Sequence, residues 1–131
     1  MDDKFNINMK IINKTKNIVL SENCEMADSF LKRLLGLMFS GKFRDILIKA
    51  KRESVEYASI HMMFMNYPID VVWINSSHVV VDVAGSIPPL SLADRKTWRL
   101  YKPKKRAQYV LEISVKRPAE TEVGDEIEFK D

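Results

Sequence analysis

The feature that most constrains this sequence is its most apolar stretch, which runs from Ile60 to Ile74. Pro68 interrupts it, and because proline donates no backbone hydrogen bond and restricts the residue before it, proline is typical of the start of a strand rather than its middle. We therefore expect two buried strands, Ile60–Met65 and Ile69–Ile74, that pair with each other across the break. The second strand is apolar on nearly every position, which indicates that both its faces are covered.

The strand Ile69–Ile74 is followed by Asn75–His78, which has the composition of a hairpin turn, and then by Val79–Val83. This pattern predicts an antiparallel hairpin. Alternation or short apolar runs predict the other strands. The charged residues 49–56 are expected to form a solvated loop or, alternatively, one exposed helical turn. The remaining strand candidates are Phe5–Ile12, Ile18–Leu20, Asp45–Ile48, Ala107–Ile113 and Glu126–Phe129.

Helical spacing occurs between the first strands and the central stretch. Phe30, Leu31, Leu34 and Leu35 recur with the period of an amphipathic helix, which predicts one short helix over Ser29–Leu35. Many short strands with a single early helix indicate an all-β protein, an antiparallel sandwich or barrel, rather than a βαβ fold. The 131 residues fit one domain spanning positions 1–131.

Composition narrows the class of protein further. Hydrophobic residues make up 46% and charged residues 30% of the chain, as in ordinary globular proteins. A transmembrane helix needs a run of about 18 apolar residues, and the sequence has none, so we expect no membrane partner. The N-terminal residues lack the apolar core of a secretory signal, and the one cysteine excludes a framework of internal disulfides. These observations predict a cytoplasmic protein.

Positive charge is concentrated in one segment, from Arg95 to Arg106. It contains seven cations and no acidic residue, whereas the whole chain carries only +3, so the remainder of the chain is net negative. Trp98 and Tyr101 are interleaved with these cations, an arrangement suited to a phosphate backbone with stacked bases. The cations are Arg95, Lys96, Arg99, Lys102, Lys104, Lys105 and Arg106.

Two other interpretations of this segment remain open. The cations could bind an anionic small molecule or the acidic surface of a protein. Alternatively, the segment could be a solubilising loop in which Trp98 and Tyr101 fill the core while the cations point to water. The sequence leaves open whether Trp98 is buried or presented.

Three ionisable residues in the apolar strands are weak candidates for catalysis. Pairing of the two central strands would bring His61 near Asp70, and Glu112 could add a second carboxylate for hydrolysis or for a divalent cation. The alternative is structural: Asp70 accepts backbone N–H groups, His61 is a satisfied core residue and Glu112 faces outward. Motifs for a nucleotide, a metalloprotease site or a serine nucleophile are absent, and we expect no cofactor and no metal.

Four motifs, taken in order, resemble those of a known family, the one called domain of unknown function 192. The resemblance covers most of the chain and implies a compact β-rich single domain, but it implies no biochemical role. The motifs are Ala27–Met38, Ile60–Ile74, Tyr109–Glu112 and Val123–Phe129.

The sequence therefore favours a non-enzymatic binding or accessory protein that recognises an anionic partner through residues 95–106. The alternative function is that of a small, hydrolase-like enzyme that uses His61, Asp70 and Glu112.

Overall fold

The computed structural model describes residues 8–27, 45–60, 62, 67–114 and 120–131. Within these residues lie seven strands and one 3-10 turn, Arg95–Thr97. The protein is thus mainly β, as predicted, whereas the predicted helix Ser29–Leu35 lies outside the described residues. The strands are β1 (Asn8–Asn13), β2 (Ile18–Ala27), β3 (Ile46–Ser54), β4 (Ile69–Ile74), β5 (Val80–Ile87), β6 (Ala107–Ser114) and β7 (Ile127–Lys130).

All seven strands belong to one sheet in the order β5-β4-β6-β3-β2-β1-β7. The neighbours are antiparallel except for β2 and β3, in which Glu25–Ala27 run parallel to Ile46–Ile48. The prediction of an antiparallel architecture is therefore correct for every neighbouring pair but this one.

The sheet curls until its two edge strands, β5 and β7, meet at one end. A bridge between Val79 and Glu126 joins the start of β5 to the start of β7. Three backbone hydrogen bonds of 2.8–2.9 Å hold the junction: Val80 N–H to Asp125 O, Gly124 N–H to Val80 O, and Ile127 N–H to His78 O. The result is a half-barrel, in which part of both sheet edges is paired instead of being left open.

Both faces of the curled sheet are covered by apolar residues. One cluster takes side chains from all seven strands, among them Ile11, Leu47 and Leu111, and fills the inside of the curl. A second cluster on the opposite face is built around Trp73 and is completed by Ala58, Ile60 and Met62. Since successive strand residues point to opposite faces, every residue of β4 is buried, as its continuous apolar pattern predicted.

The hairpin of β4 and β5 is confirmed, with Val72 paired to Val83. The predicted pairing of Ile60–Met65 with β4 is wrong, because β5 and β6 occupy both edges of β4. Ile60 instead pairs with Tyr101, through backbone hydrogen bonds of 2.7 and 3.0 Å. Positions 61 and 63–66 lie outside the described residues.

The predicted loop over residues 49–56 is also wrong for residues 49–54. Strand β3 continues to Ser54, with Ser54 paired to Ala107 of β6. In this part of the strand Lys49, Lys51 and Arg52 are exposed, whereas Ala50 between them is buried. The charged sequence is therefore compatible with a strand, because its charged side chains face solvent. None of the helices within the described residues is long and apolar enough to cross a membrane.

Candidate anion-binding surface

The cationic segment is tied to the sheet at three points. Tyr101 pairs with Ile60, and the backbone N–H of Lys104 donates a 2.9 Å hydrogen bond to the carboxylate of Asp82 in β5. Between them, Pro103 is buried. After Arg106 the chain enters β6. The segment therefore has a defined path over the sheet rather than that of a free loop.

The beginning of the segment is held by a compact set of hydrogen bonds around the 3-10 turn. Asp94 caps the turn by accepting from the N–H of Lys96 at 3.0 Å. The hydroxyl of Thr97 is buried; it accepts from the N–H of Ser91 at 2.7 Å and donates to the carbonyl of Asp94 at 2.7 Å. These bonds order the backbone before any ligand binds, which lowers the entropic cost of binding.

All seven cations of the segment are exposed. Within the described part of the chain, the ion pairs involve Lys10 and Lys16 and none of these seven side chains. Arg106 is close enough to Glu53 to help lower the pKa of that carboxylate, although the hydrogen bonds from Ser76 contribute more. The segment therefore presents positive charge that the protein itself scarcely neutralises.

The two aromatic residues of the segment have different environments. Tyr101 is half-buried and packs against the outer apolar cluster, and the guanidinium carbon of Arg99 lies 4.7 Å from the centre of its ring. Trp98 is 48% exposed, and its indole N–H donates a 2.6 Å hydrogen bond to the carbonyl of Ser91. The interpretation of the segment as a solubilising loop placed both rings in the core. Of the two, only Tyr101 packs against the core.

Two exposed leucines lie close to Trp98 in the sequence. Leu92 is 85% exposed and Leu100 is 52% exposed. Single exposed apolar residues are common on protein surfaces, but these two lie on either side of the exposed Trp98 in the sequence. The candidate site thus combines charge with an apolar component.

A second group of cations, predicted to lie in a loop, belongs to the end of β3. Ser54 pairs with Ala107, and because this pair is antiparallel, Arg52 and Arg106 lie on opposite sides of it along the strands. The guanidinium carbon of Arg52 lies 5.3 Å from the centre of the Tyr57 ring, which is 50% exposed. The cluster of Lys49, Lys51 and Arg52 is visible in the sequence, but only the pairing of β3 with β6 shows that it lies in a strand.

Of the three catalytic candidates, two can be placed. Asp70 is nearly buried and accepts a 2.8 Å hydrogen bond from the backbone N–H of Ser86. Glu112 is 1% exposed and is paired with Val71, the residue after Asp70. Paired residues share a face whereas successive residues alternate, so the sheet separates the two carboxylates onto opposite faces. His61 lies outside the described residues.

The other ionisable groups within the described residues form no recognisable reactive site. Among these residues, no group of three or more His, Cys, Asp or Glu side chains is suited to a metal ion. Cys24 is completely buried in the inner cluster. Burial, followed by the nearby charges of Asp45 and Glu25, raises the pKa of its thiol far above the ordinary value, which makes it a poor nucleophile.

Comparison with known proteins identifies relatives over nearly the whole chain. The sequence model of the family DUF192, described as "Uncharacterized ACR", matches residues 10–129. A UPF0127 protein of Thermococcus kodakarensis is 41% identical over 91% of this chain and 72% of its own length. A UPF0127 protein of Pyrococcus abyssi is 35% identical over 91% of this chain and 96% of its own.

Two solved structures share the fold at low sequence identity. One is a protein of unknown function from Novosphingobium aromaticivorans, with a TM-score of 0.70 and 17% identity, covering 93% of this chain and 84% of its own. The other is from Sinorhizobium meliloti and is described as a candidate transcription regulator, with a TM-score of 0.70 and 18% identity, covering 93% of this chain and 92% of its own.

Proposed function

We propose that this chain, which belongs to the DUF192 family, is a non-enzymatic binding or accessory protein that recognises an anionic partner through residues 95–106. The observation that carries the proposal is the set of seven exposed cations, none of which forms an ion pair within the described residues. Binding of an anion would supply the charge that the protein's own carboxylates do not.

The position of the cations supports recognition rather than mere solubility. The net charge of the chain is only +3, and without the seven cations of the segment the remainder is net negative, so the rest of the chain does not attract a polyanion. A local concentration of cations raises the association rate with an oppositely charged partner and orients it toward one surface. The hydrogen bonds of Ser91, Asp94 and Thr97 keep that surface ordered.

The hydrolase alternative receives less support from the described residues. Its two carboxylates, Asp70 and Glu112, project from opposite faces of the sheet, and the Ser86 N–H already bonds Asp70. A buried carboxylate bonded to backbone N–H groups in this way commonly serves the fold.

The test measures binding of fluorescently labelled polyanions, a single-stranded oligonucleotide and long-chain polyphosphate, by anisotropy at low ionic strength. Replacing four cations (Lys102, Lys104, Lys105 and Arg106) by alanine should abolish binding. For the wild type, the logarithm of affinity should fall linearly with the logarithm of salt concentration. Absence of binding to both polyanions at low salt would contradict the proposal.

A matched pair of double variants controls for net charge. Lys102→Ala with Lys105→Ala removes two exposed cations of the segment, whereas Lys14→Ala with Lys130→Ala removes two exposed cations on the β1 turn and the end of β7. The proposal requires the first pair to weaken binding and the second to leave it nearly unchanged. Equal losses would indicate attraction to overall charge instead of to this segment.

We also propose that the protein acts in the cytoplasm. The support is its single cysteine, Cys24, which is buried and forms no disulfide, as is usual where thiols stay reduced. Fractionation of cells that carry a tagged copy tests this, and recovery outside the cytoplasmic fraction would contradict it.

A further inference from the structure

We propose that the anionic partner is a single-stranded nucleic acid, and that the exposed face of Trp98 is the platform on which one of its bases stacks. This inference rests on the proposed function and specifies the partner of the same surface.

The first argument is the way in which Trp98 is held. Its indole N–H is bonded to the carbonyl of Ser91, so the polar edge of the ring is turned to the protein while 48% of the residue remains exposed. No ring or cation contact joins Trp98 to any other described residue; such contacts join Arg99 to Tyr101 and Arg52 to Tyr57. Trp98 therefore offers a fixed apolar surface with its own hydrogen bond already satisfied.

The second argument is the arrangement of the charges relative to the rings. Because Ile60 and Tyr101 pair in antiparallel fashion, Tyr57 lies on the same side of this pair as Lys102 and the residues that follow it. Along the segment itself, Trp98 is followed by the stacked Arg99–Tyr101 pair and then by the exposed Lys102, Lys104, Lys105 and Arg106. Rings and cations thus alternate along this part of the chain, as a phosphate backbone with unpaired bases requires.

This arrangement favours a single strand over other polyanions. Bases in a duplex are stacked on each other and cannot reach a tryptophan face, whereas unpaired bases can. A membrane surface would require the apolar side chains to form one insertion site with cations around it. Here the exposed cations continue along the chain to Arg106, beyond Leu92, Trp98 and Leu100, and the indole N–H is already bonded to the Ser91 carbonyl.

The experiment compares four probes with the whole protein: an oligothymidylate of about ten nucleotides, within the usual site sizes, an abasic oligomer of the same length, a DNA duplex, and vesicles that contain anionic lipid. The oligothymidylate should bind most tightly and should quench Trp98 fluorescence. Trp73 is buried, so it serves as an internal reference, and quenching should vanish in Trp98→Phe.

Two variants at Trp98 separate stacking from loop order. Trp98→Phe and Trp98→Leu both lose the hydrogen bond to Ser91, but only phenylalanine keeps an aromatic face. We expect Trp98→Leu to weaken oligothymidylate binding about 5- to 150-fold, the range for loss of one stacked base, and Trp98→Phe to weaken it much less. Both variants should bind the abasic oligomer with the same affinity, because both lose the hydrogen bond to Ser91 and the abasic oligomer has no base to stack.

The outcomes distinguish this inference from the proposed function. Equal affinity for the abasic oligomer and the oligothymidylate, with no difference between the two variants, would overturn stacking while leaving anion binding intact. Tighter, Trp98-dependent binding to the vesicles or to the duplex would also overturn it. Failure of every probe to bind at low salt would overturn both.

Discussion

The side-chain amide of Asn13 donates a 2.9 Å hydrogen bond to the carboxylate of Asp125, although the two residues are 112 positions apart. Asp125 also accepts from the N–H of Glu122 at 3.0 Å and from the ammonium of Lys16 at 3.2 Å. It is 4% exposed and lies beside the junction of β5 and β7. One carboxylate thus connects the first strand, its turn and the approach to the last strand.

We expect Asp125→Ala to destabilise the fold by roughly 1–3 kcal/mol, because it removes the acceptor of the buried Asn13 amide and of the part-buried Glu122 N–H. Asp125→Asn should cost less, since an amide oxygen can still accept. Glu128→Ala removes an exposed carboxylate from the same part of the chain and should change stability little. Denaturant titration measures all three, and a similar cost for Asp125→Ala and Glu128→Ala would contradict this role.

The same carboxylate should make stability depend on acidity. Burial raises the pKa of Asp125, but hydrogen bonds from Asn13, Glu122 and Lys16 outweigh it and hold the pKa below its ordinary value. A pKa lowered by folding contributes stability above the unfolded value of about 3.9, and this contribution is lost as pH falls through the folded value. The free energy of unfolding should therefore drop below about pH 4 less steeply in Asp125→Asn than in the wild type.

Asp70 should be needed for its oxygen rather than for its charge. It accepts the backbone N–H of Ser86 at the irregularity where β5 departs from regular pairing with β4. Asp70→Ala leaves that N–H without a partner and should cost about 1–3 kcal/mol, whereas Asp70→Asn should retain most of the stability. Thermal unfolding of the two variants checks this, and an equally large loss in both would mean that the charge matters.

Ser86 and His78 share the same backbone strain, since both adopt the left-handed conformation, with φ of 51° and 65°, but their side chains have different environments. Ser86→Gly should be neutral or stabilising by up to about 1 kcal/mol, because glycine adopts that conformation without strain. His78→Gly should be destabilising although it relieves the same backbone strain, because it removes a packed ring. The centre of the His78 ring lies 4.4 Å from that of Phe129 and 5.5 Å from that of Tyr109. Denaturant titration of each variant should give opposite changes.

Cys24 should report unfolding through its reactivity. The thiol is fully buried and its pKa is raised by burial, so it should react with a thiol reagent far more slowly in the folded protein than in denaturant. As the chain has a single cysteine, the reaction gives one signal. Rapid labelling under conditions in which the protein is fully folded would contradict the structure.

Local patterns predicted much of this fold. The β4–β5 hairpin follows from an apolar run, the turn Asn75–His78 and a returning strand, all of which are close in the sequence. The family motifs agreed with the mainly β class. Distant pairings were not predictable in this way, because the antiparallel pair of Ile60 and Tyr101 and the parallel pair of β2 and β3 depend on contacts across the whole sheet.

The candidate site was predictable to a similar extent. The cations and aromatic residues at 95–106 are evident from composition, but the exposure of Trp98 depends on a hydrogen bond to Ser91 seven positions earlier. The position of Arg52 in a strand next to β6 depends on pairing between Ser54 and Ala107. The separation of Asp70 from Glu112 likewise follows from the register of β4 on β6, which no sequence pattern specified.

The junction of β5 with β7 has a consequence for the order of folding. Strand β1 lies between β2 and β7, so the sheet around it cannot be completed before residues 125–130 have been synthesised. Loop-closure entropy must be overcome before such distant contacts form, and folds dominated by them reach the native state slowly. During synthesis, the edge of β1 that later accepts β7 should therefore be the last part of the sheet to gain protection from hydrogen exchange.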